Sequence, residues 1–236
     1  MRLRGDTPFR LVMSAGAPAT EAAADAIAQG FRAPRVDFYG ASESFSMAYD
    51  GRIATTLRIA GLDGDGMAEA APGEPGEVQT TGDMVFAGYL DDPAQTAAAV
   101  TADGWYRTGD VARIGPDGRL DLLGRLSEII NRGGVKIAPA EIEAPVLELP
   151  GVAEAAAFAI PDPALGEQPA LAVVPHPGAE LTARDIRRFL LGRLPPAKMP
   201  TRVFLLDALP VTAAGKVSRR DLAALLAPPD DPAGTP

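Results

Sequence analysis

A change of character between residues 45 and 123 does most to limit what this chain can fold into. Upstream and downstream of it the pattern alternates strands with capped helices. Within it Gly and Asp recur, and short β-like pieces such as Gly76-Glu77-Val78-Gln79-Thr80 alternate with turns. A stretch of that kind cannot continue a doubly wound layer, so the chain reads as three successive parts. In the first, the apolar run Phe9–Met13 ends in the breakers Ser14-Ala15-Gly16-Ala17-Pro18. A helix follows from Thr20 to Gln29, stopped at Gly30, and then a strand over Val36–Tyr39 closed by Gly40. This is a fragment of an α/β layer, too small to be a domain alone.

The middle part holds one short helix, opened by Asp92-Pro93 and running through Val100. It also holds a hairpin, with Val111–Ile114 and Arg119–Leu123 joined by Gly115-Pro116-Asp117-Gly118. The third part begins near Leu126. Pro139-Ala140-Glu141 starts a helix with the apolar stripe Ile142, Val146 and Leu149. Strands follow around Ala153–Ile160 and Ala170–Val174. Thr182 caps a helix lined by Ile186, Phe189 and Leu190, with Leu194 on the same face. Arg202–Leu206 is a strand, and Ser218 caps a last helix bearing Leu222, Leu225 and Leu226. The expected class is α/β plus α+β. The expected domains are 1–125, 126–227 and a Pro/Asp-rich disordered tail over 228–236.

Composition narrows the chemistry. The 236 residues contain no cysteine and one histidine, His176, set between two prolines as a turn residue. Thiolate chemistry, cysteine metal sites, a Ser-His-Asp mechanism and a multi-histidine zinc site are thereby set aside. The net charge is -9 and the pI about 4.7, which argues against a nucleic-acid binder. No run reaches the ~20 apolar residues of a membrane span. The first residues lack the apolar core of a signal peptide. The expectation is a cytoplasmic protein with neither nucleic acid nor membrane as partner.

Four stretches carry more specific residues than folding needs. Asp37-Phe38-Tyr39-Gly40-Ala41-Ser42-Glu43 stands at a strand end, where open α/β sheets bind ligands. Its aromatic ring can stack on a base, and Ser42 and Glu43 offer oxygens to a phosphate-bound Mg²⁺. A polar turn with a core tyrosine would read the same way. Gly104-Trp105-Tyr106-Arg107-Thr108-Gly109-Asp110 sets a carboxylate beside glycine, able to take both hydroxyls of a ribose diol or simply to form a turn. The third stretch runs from Gly124 to Glu143. The fourth, Leu209–Val217, carries Lys216 on a glycine-flanked loop, either solvated or reaching a phosphoryl group.

In this order and spacing the stretches resemble the ANL superfamily of AMP-forming adenylating enzymes, which includes the acyl-CoA synthetases, peptide-synthetase adenylation domains and luciferases. The resemblance runs from about Phe9 to Leu226. It implies a partial fold of that kind: a remnant of the large N-terminal α/β layer, a β-rich subdomain that looks abbreviated between Met47 and Gly76, and the small C-terminal α+β lid domain.

The resemblance also implies roles. Ser14–Pro18, with Gly16, Ala17 and Pro18, is similar to the loop that passes the adenine. Asp37 stands near the adenine amino group, Tyr39 stacks on the base, and Gly40 lies in the same nucleotide-binding turn. Ser42 replaces the usual Thr, and Glu43 matches the Mg²⁺-associated glutamate. Asp110 resembles the ribose-hydroxyl acceptor and Arg125 a second ribose or phosphate contact. Lys216 matches the catalytic lysine that meets charge at the α-phosphate. Gly133 and Gly134 resemble the loop lining the thiol channel. Ser127, where Asp or Lys is usual, occupies the hinge position.

The activity so implied converts a carboxylic acid and ATP to acyl-AMP, then passes the acyl group to CoA or to carrier-protein pantetheine. The Asn131–Pro139 loop looks more like that of the CoA ligases. A Ser/Thr/Gly-rich loop ending in Pro-Lys-Gly, which cradles the triphosphate in this family, does not occur in these 236 residues. The expectation is therefore a C-terminal half completed by a separate N-terminal half or by self-association. The alternatives are a non-catalytic nucleotide-binding or scaffolding module, and a transferase performing only the thioester-forming step.

Overall fold

The computed structural model describes residues 9–15, 21–63, 66–213 and 215–226, with 21–24 described by backbone alone. Gly16, Ala17, Pro18, Thr20 and the 228–236 tail lie outside these residues. The chain divides into two compact units on either side of the Leu122–Leu123 bond. Among the described residues no helix is long and apolar enough to cross a membrane.

The first unit opens with β1 (Val12–Ser14), α1 (Glu21–Phe31) and β2 (Arg35–Ala41), and β1 pairs parallel to β2. Three boundaries here differ from the sequence reading: β1 is confined to Val12–Ser14 and includes Ser14, read in sequence as a breaker. The helix runs through Gly30 to Phe31 and turns at Arg32, whose φ is 51°. Phe31 extends the apolar face, its ring meeting Phe9 edge-on at 5.3 Å, and that packing outweighs the modest helix cost of glycine. Nor does Gly40 end β2. The strand continues to Ala41 and folds back on β3 (Phe45–Tyr49), which pairs in turn with β4 (Arg52–Ile53).

Gly40 serves close approach instead of termination. A Cβ there would lie 1.9 Å from the carbonyl oxygen of Phe45 and 2.9 Å from the Phe38 ring. Gly40→Ala is therefore expected to cost about 3 kcal/mol or more, because backbone must move to admit one methyl. Thermal unfolding followed through the first unit's aromatic signals checks this. A change below about 1 kcal/mol would contradict the packing argument.

The β-rich stretch forms a second sheet of β5 (Thr56–Gly61), β6 (Gly76–Thr81), β7 (Tyr106–Ile114) and β8 (Leu120–Arg125), in that spatial order. The short helix α2 (Pro93–Ala99) precedes β7, and the Asp92 side chain caps it by accepting from the Gln95 N–H at 2.8 Å. The β7–β8 turn closes with Gly115 N–H donating to the Arg119 carbonyl at 2.8 Å. Met47, Ala48, Ile59, Val78, Ala112 and Leu120 form the core between the two sheets, and Tyr39 packs at its edge.

The second unit is a sheet covered on both faces. Its strands are β9 (Ile130–Arg132), β10 (Val135–Ile137), β11 (Val152–Asp162), β12 (Gly166–Pro175) and β13 (Arg202–Leu205). β12 pairs antiparallel with β11 and with the end of β9, and parallel with β13. The Ala170-Leu171-Ala172-Val173 run of β12 is fully buried, which a strand needs only when both faces are covered. Leu171 and Val173 pack with Ile142 and Val146 of α3 (Pro139–Leu147) and with Ile186 and Leu190 of α4 (Ala183–Leu190). Ala170 and Ala172 pack on the other face with Phe158 and with Leu222 of α5 (Arg219–Leu226). Glu141 reaches back to the Ala138 N–H at 3.0 Å, fixing the start of α3. Leu225, by contrast, is exposed.

Candidate functional site

In the first unit, β2 and the turn after it present Asp37, Tyr39, Ser42 and Glu43, while β7 presents Asp110. Asp37 and Tyr39 are two residues apart on one strand and so share a face. Asp37 is clamped: its carboxylate accepts from the Ser14 hydroxyl and forms an ion pair with Arg35. Its own N–H donates to Asp50 Oδ1 at 2.8 Å.

The Tyr39 hydroxyl donates to Asp110 Oδ2 at 2.9 Å, joining residues 71 apart in sequence. A carboxylate offers about four acceptor sites, and Tyr39 takes one of them. The ring of Tyr39 is half-buried against the core rather than fully exposed. One edge of that aromatic face therefore lies beside the Asp110 carboxylate.

Glu43 sits in the β2–β3 turn beside the exposed Ser42. Its carbonyl accepts from Phe86 N–H at 2.7 Å, and its Oε1 accepts from the Tyr89 hydroxyl at 3.0 Å. Phe86 packs edge-on against both Tyr89 and Tyr106, at 4.9 Å and 5.4 Å between centroids. Burial pushes both tyrosine hydroxyls above their ordinary range, and the Glu43 carboxylate adds to the shift in each. They stay protonated as donors, and Tyr89 fixes the Glu43 carboxylate in one direction. Sequence reasoning missed Tyr89 and Tyr106. The signal available was an aromatic pair, Phe86 and Tyr89, bracketing Gly88, and nothing local ties it to Glu43.

In the second unit Arg125 ends β8 and is exposed. Ser127, also exposed, occupies the 3₁₀ turn Leu126–Glu128. Gly133 and Gly134 form the β9–β10 turn with φ of 56° and 91°, the left-handed region where glycine is favoured. Gly133 N–H donates to the Leu165 carbonyl at 2.8 Å, and Gly134 N–H to Asn131 Oδ1 at 3.2 Å.

Lys216 is exposed on a small loop whose ends meet where Val211 bridges Val217. Thr212 N–H donates to the Lys216 carbonyl at 2.7 Å. Three residues on, Arg219 anchors the loop's exit. Its guanidinium donates to Glu128 Oε2 and Glu143 Oε1, both at 2.8 Å, and to the Ala157 carbonyl at 3.0 Å. Burial opposes that charge, yet Glu143 and then Glu128 outweigh it and hold the guanidinium above its ordinary value. Arg219 is a further residue that sequence reasoning passed over, as one of two adjacent arginines after a cap.

Residues 141–216 match the family model of the AMP-binding enzyme C-terminal domain. The chain is 33% identical over 235 residues to a 4-coumarate–CoA ligase of Vanilla planifolia, covering 92% of this chain and 42% of that one. Among solved structures it superposes on amide bond synthetase McbA of Marinactinospora thermotolerans with a TM-score of 0.82 and 30% identity, covering 93% of this chain and 47% of that one. The ATP-bound MatB of Rhodopseudomonas palustris gives a TM-score of 0.80 at 27% identity, covering 92% and 45%. The chain thus spans less than half the length of each relative. Its motifs, its matching C-terminal domain and its fold place this chain in the ANL superfamily of AMP-forming adenylating enzymes, as a counterpart of their C-terminal portion.

Proposed function

We propose that this chain supplies the nucleotide-holding and lysine-bearing part of an ATP-dependent acid–thiol ligase, which forms acyl-AMP and then a thioester. The observation that carries the reading is the 2.9 Å contact between Tyr39 and Asp110. It sets a stackable ring and a diol-accepting carboxylate side by side, as an adenosine requires. In this reading Asp37 stands at the adenine edge, with Gly16, Ala17 and Pro18 completing the adenine loop. Asp110 and Arg125 hold the ribose, and Lys216 meets charge developing at the α-phosphate. Gly133 and Gly134 line the path of the thiol, CoA or a carrier-protein pantetheine. Residues 1–125 are then the remnant of the large domain and 126–227 the small C-terminal domain, pivoting at Ser127.

A Mg²⁺ ion would arrive on the phosphates. Among the described residues no group of three or more His, Cys, Asp or Glu forms a metal cage. A single carboxylate held in place, as Glu43 is by Tyr89, suits a hard cation that keeps its other ligands from phosphate and water. Bound there, the ion would neutralise phosphate charge.

The reading includes a complementary N-terminal portion that brings the triphosphate loop and most of the acid pocket. Phe9, Leu11 and Met13 around β1 and Phe45 on β3 are 40%, 46%, 54% and 60% exposed, and apolar surface of that kind supports a covering partner. The 236-residue chain alone is expected to show no acid-dependent pyrophosphate–ATP exchange above background. Exchange is expected to appear when an N-terminal portion from a relative is added. Robust exchange by the chain alone would overturn the need for a partner. Absence of exchange in every reconstituted assembly, with no AMP binding, would favour a scaffold.

A further inference from the structure

Beside Asp110 the first unit buries a carboxylate that the proposed reaction does not use. Glu77 on β6 is 3% exposed, and its neighbour on the same face, Gln79, is fully buried. The pairing of β6 with β7 breaks here. Glu77 faces Val111 and Gln79 faces Arg107, so the single residue Val78 opposes three, Thr108, Gly109 and Asp110. The extra residues form a bulge, a device that re-aims a side chain beside a site. Gly109 takes up the left-handed conformation it needs, with φ at 69°.

Two side chains hold the bulge. Glu77 Oε1 accepts from the Gly109 N–H at 3.3 Å, while its Oε2 accepts from Arg107 Nε at 3.0 Å and Gln79 Nε2 at 3.1 Å. The Thr108 hydroxyl donates to the Val78 carbonyl at 2.8 Å and accepts from the Asp110 N–H at 3.0 Å. Arg58 Nε completes the network by donating to Gln79 Oε1 at 2.8 Å. A carboxylate buried in a sheet is costly unless paired and bonded. This one is both, and the N–H it grips is that of Gly109, the residue immediately before Asp110.

We propose that Glu77, with Thr108, is a positioning residue for ribose recognition: it locks the β7 bulge that aims the Asp110 carboxylate at a nucleotide's 2′,3′-diol. The inference rests on Asp110 being the ribose acceptor. Glu77 touches no ligand itself. Glu77→Gln keeps the shape but turns one acceptor oxygen into a donor. Whichever way the amide faces, it opposes either the Gly109 N–H or the Arg107 and Gln79 donors.

The test is to titrate the 236-residue chain with AMP and with 2′,3′-dideoxy-AMP. Two hydrogen bonds to a charged acceptor predict a preference for AMP of about tenfold or more in the wild type, absent in Asp110→Ala. Glu77→Gln is expected to cut that preference to about twofold while leaving the dideoxy affinity unchanged. A general loosening of the fold would instead weaken both nucleotides alike. A wild-type preference that survives Glu77→Gln intact overturns the proposal. No preference in the wild type overturns the ribose reading of Asp110, and amide exchange then decides the bulge separately. Glu77→Gln is expected to speed exchange of the Gly109 and Asp110 amides about tenfold or more, with the Ile59 and Ala112 amides unchanged. Unaltered exchange at Gly109 and Asp110 overturns it. Thr108→Val, which removes the second anchor, is expected to act in the same direction and serves if Glu77→Gln does not fold.

Discussion

Lys216→Ala is expected to slow acyl-adenylate formation by a factor of about 10²–10³ in an assembly completed by its N-terminal portion. Adenylation builds negative charge at the α-phosphate, and a cation placed where that charge develops lowers the barrier more than it tightens the ground state. Lys216 suits this work because its position is set by backbone. The Val211–Val217 bridge, the Thr212 and Lys216 pairing and Arg219 at the exit fix the loop, while the side chain extends into solvent. Thioester formation from preformed acyl-AMP is expected to fall by less than about threefold, because the proposed pivot at Ser127 turns this loop away in that step. Measuring the two half-reactions separately checks the split. Equal losses in both would contradict the two-orientation mechanism.

Arg219→Ala is expected to destabilise the second unit by about 2–4 kcal/mol, lowering its midpoint by roughly 10 °C or more. The guanidinium is 22% exposed, Glu143 15% and Glu128 28%, so removing the cation leaves two largely buried carboxylates without their partner. The Ala157 carbonyl loses its Nε–H donor as well. The neighbour supplies the control. Arg220 is 92% exposed and meets Asp221 at 3.5 Å, so Arg220→Ala is expected to change stability by no more than about 0.5 kcal/mol. Calorimetry of both variants checks the pair, and similar midpoints for the two would refute the buried triad.

The second unit was the more legible in sequence. Its helix start at Pro139, its caps at Thr182 and Ser218 and its Ala170–Val174 run are local signals, and α3, α4, α5 and β12 begin or stand where those signals lie. Boundaries are misplaced in both units: α3 ends at Leu147 and α4 at Leu190, short of Leu149 and Leu194, which still pack on the core from outside their helices. Gly30 and Gly40 carry local breaker signals that were overridden by contacts made elsewhere in the chain, the Phe31 ring with Phe9 and the Phe45 carbonyl against Gly40. Alternation misleads at β6. Glu77 and Gln79 alternate with Val78 as a solvent face would, yet both are buried, because Arg58 and Arg107 come from flanking strands to meet them. The proposed nucleotide residues were legible as motifs. Their supports, Tyr89 at Glu43 and the Glu77–Gly109 bond beneath Asp110, were not. Each is a pairing between strands or loops, and no spacing along the chain encodes it.

The placement of the aromatic residues has a spectroscopic consequence. The single tryptophan, Trp105, and all four tyrosines, at 39, 49, 89 and 106, precede the Leu122–Leu123 division. Arg58 stacks 4.5 Å over the Trp105 ring, and Arg58 is itself tied to Asp103 and Gln79. Intrinsic emission excited at the red edge thus reports one unit alone, through a fluorophore seated on the same polar network that holds β6. The other unit carries only the phenylalanines 158, 189 and 204, and its unfolding is nearly dark in fluorescence. A denaturation curve read by emission and one read by far-ultraviolet dichroism therefore weigh the two units differently. Any gap between the curves measures how independently they unfold.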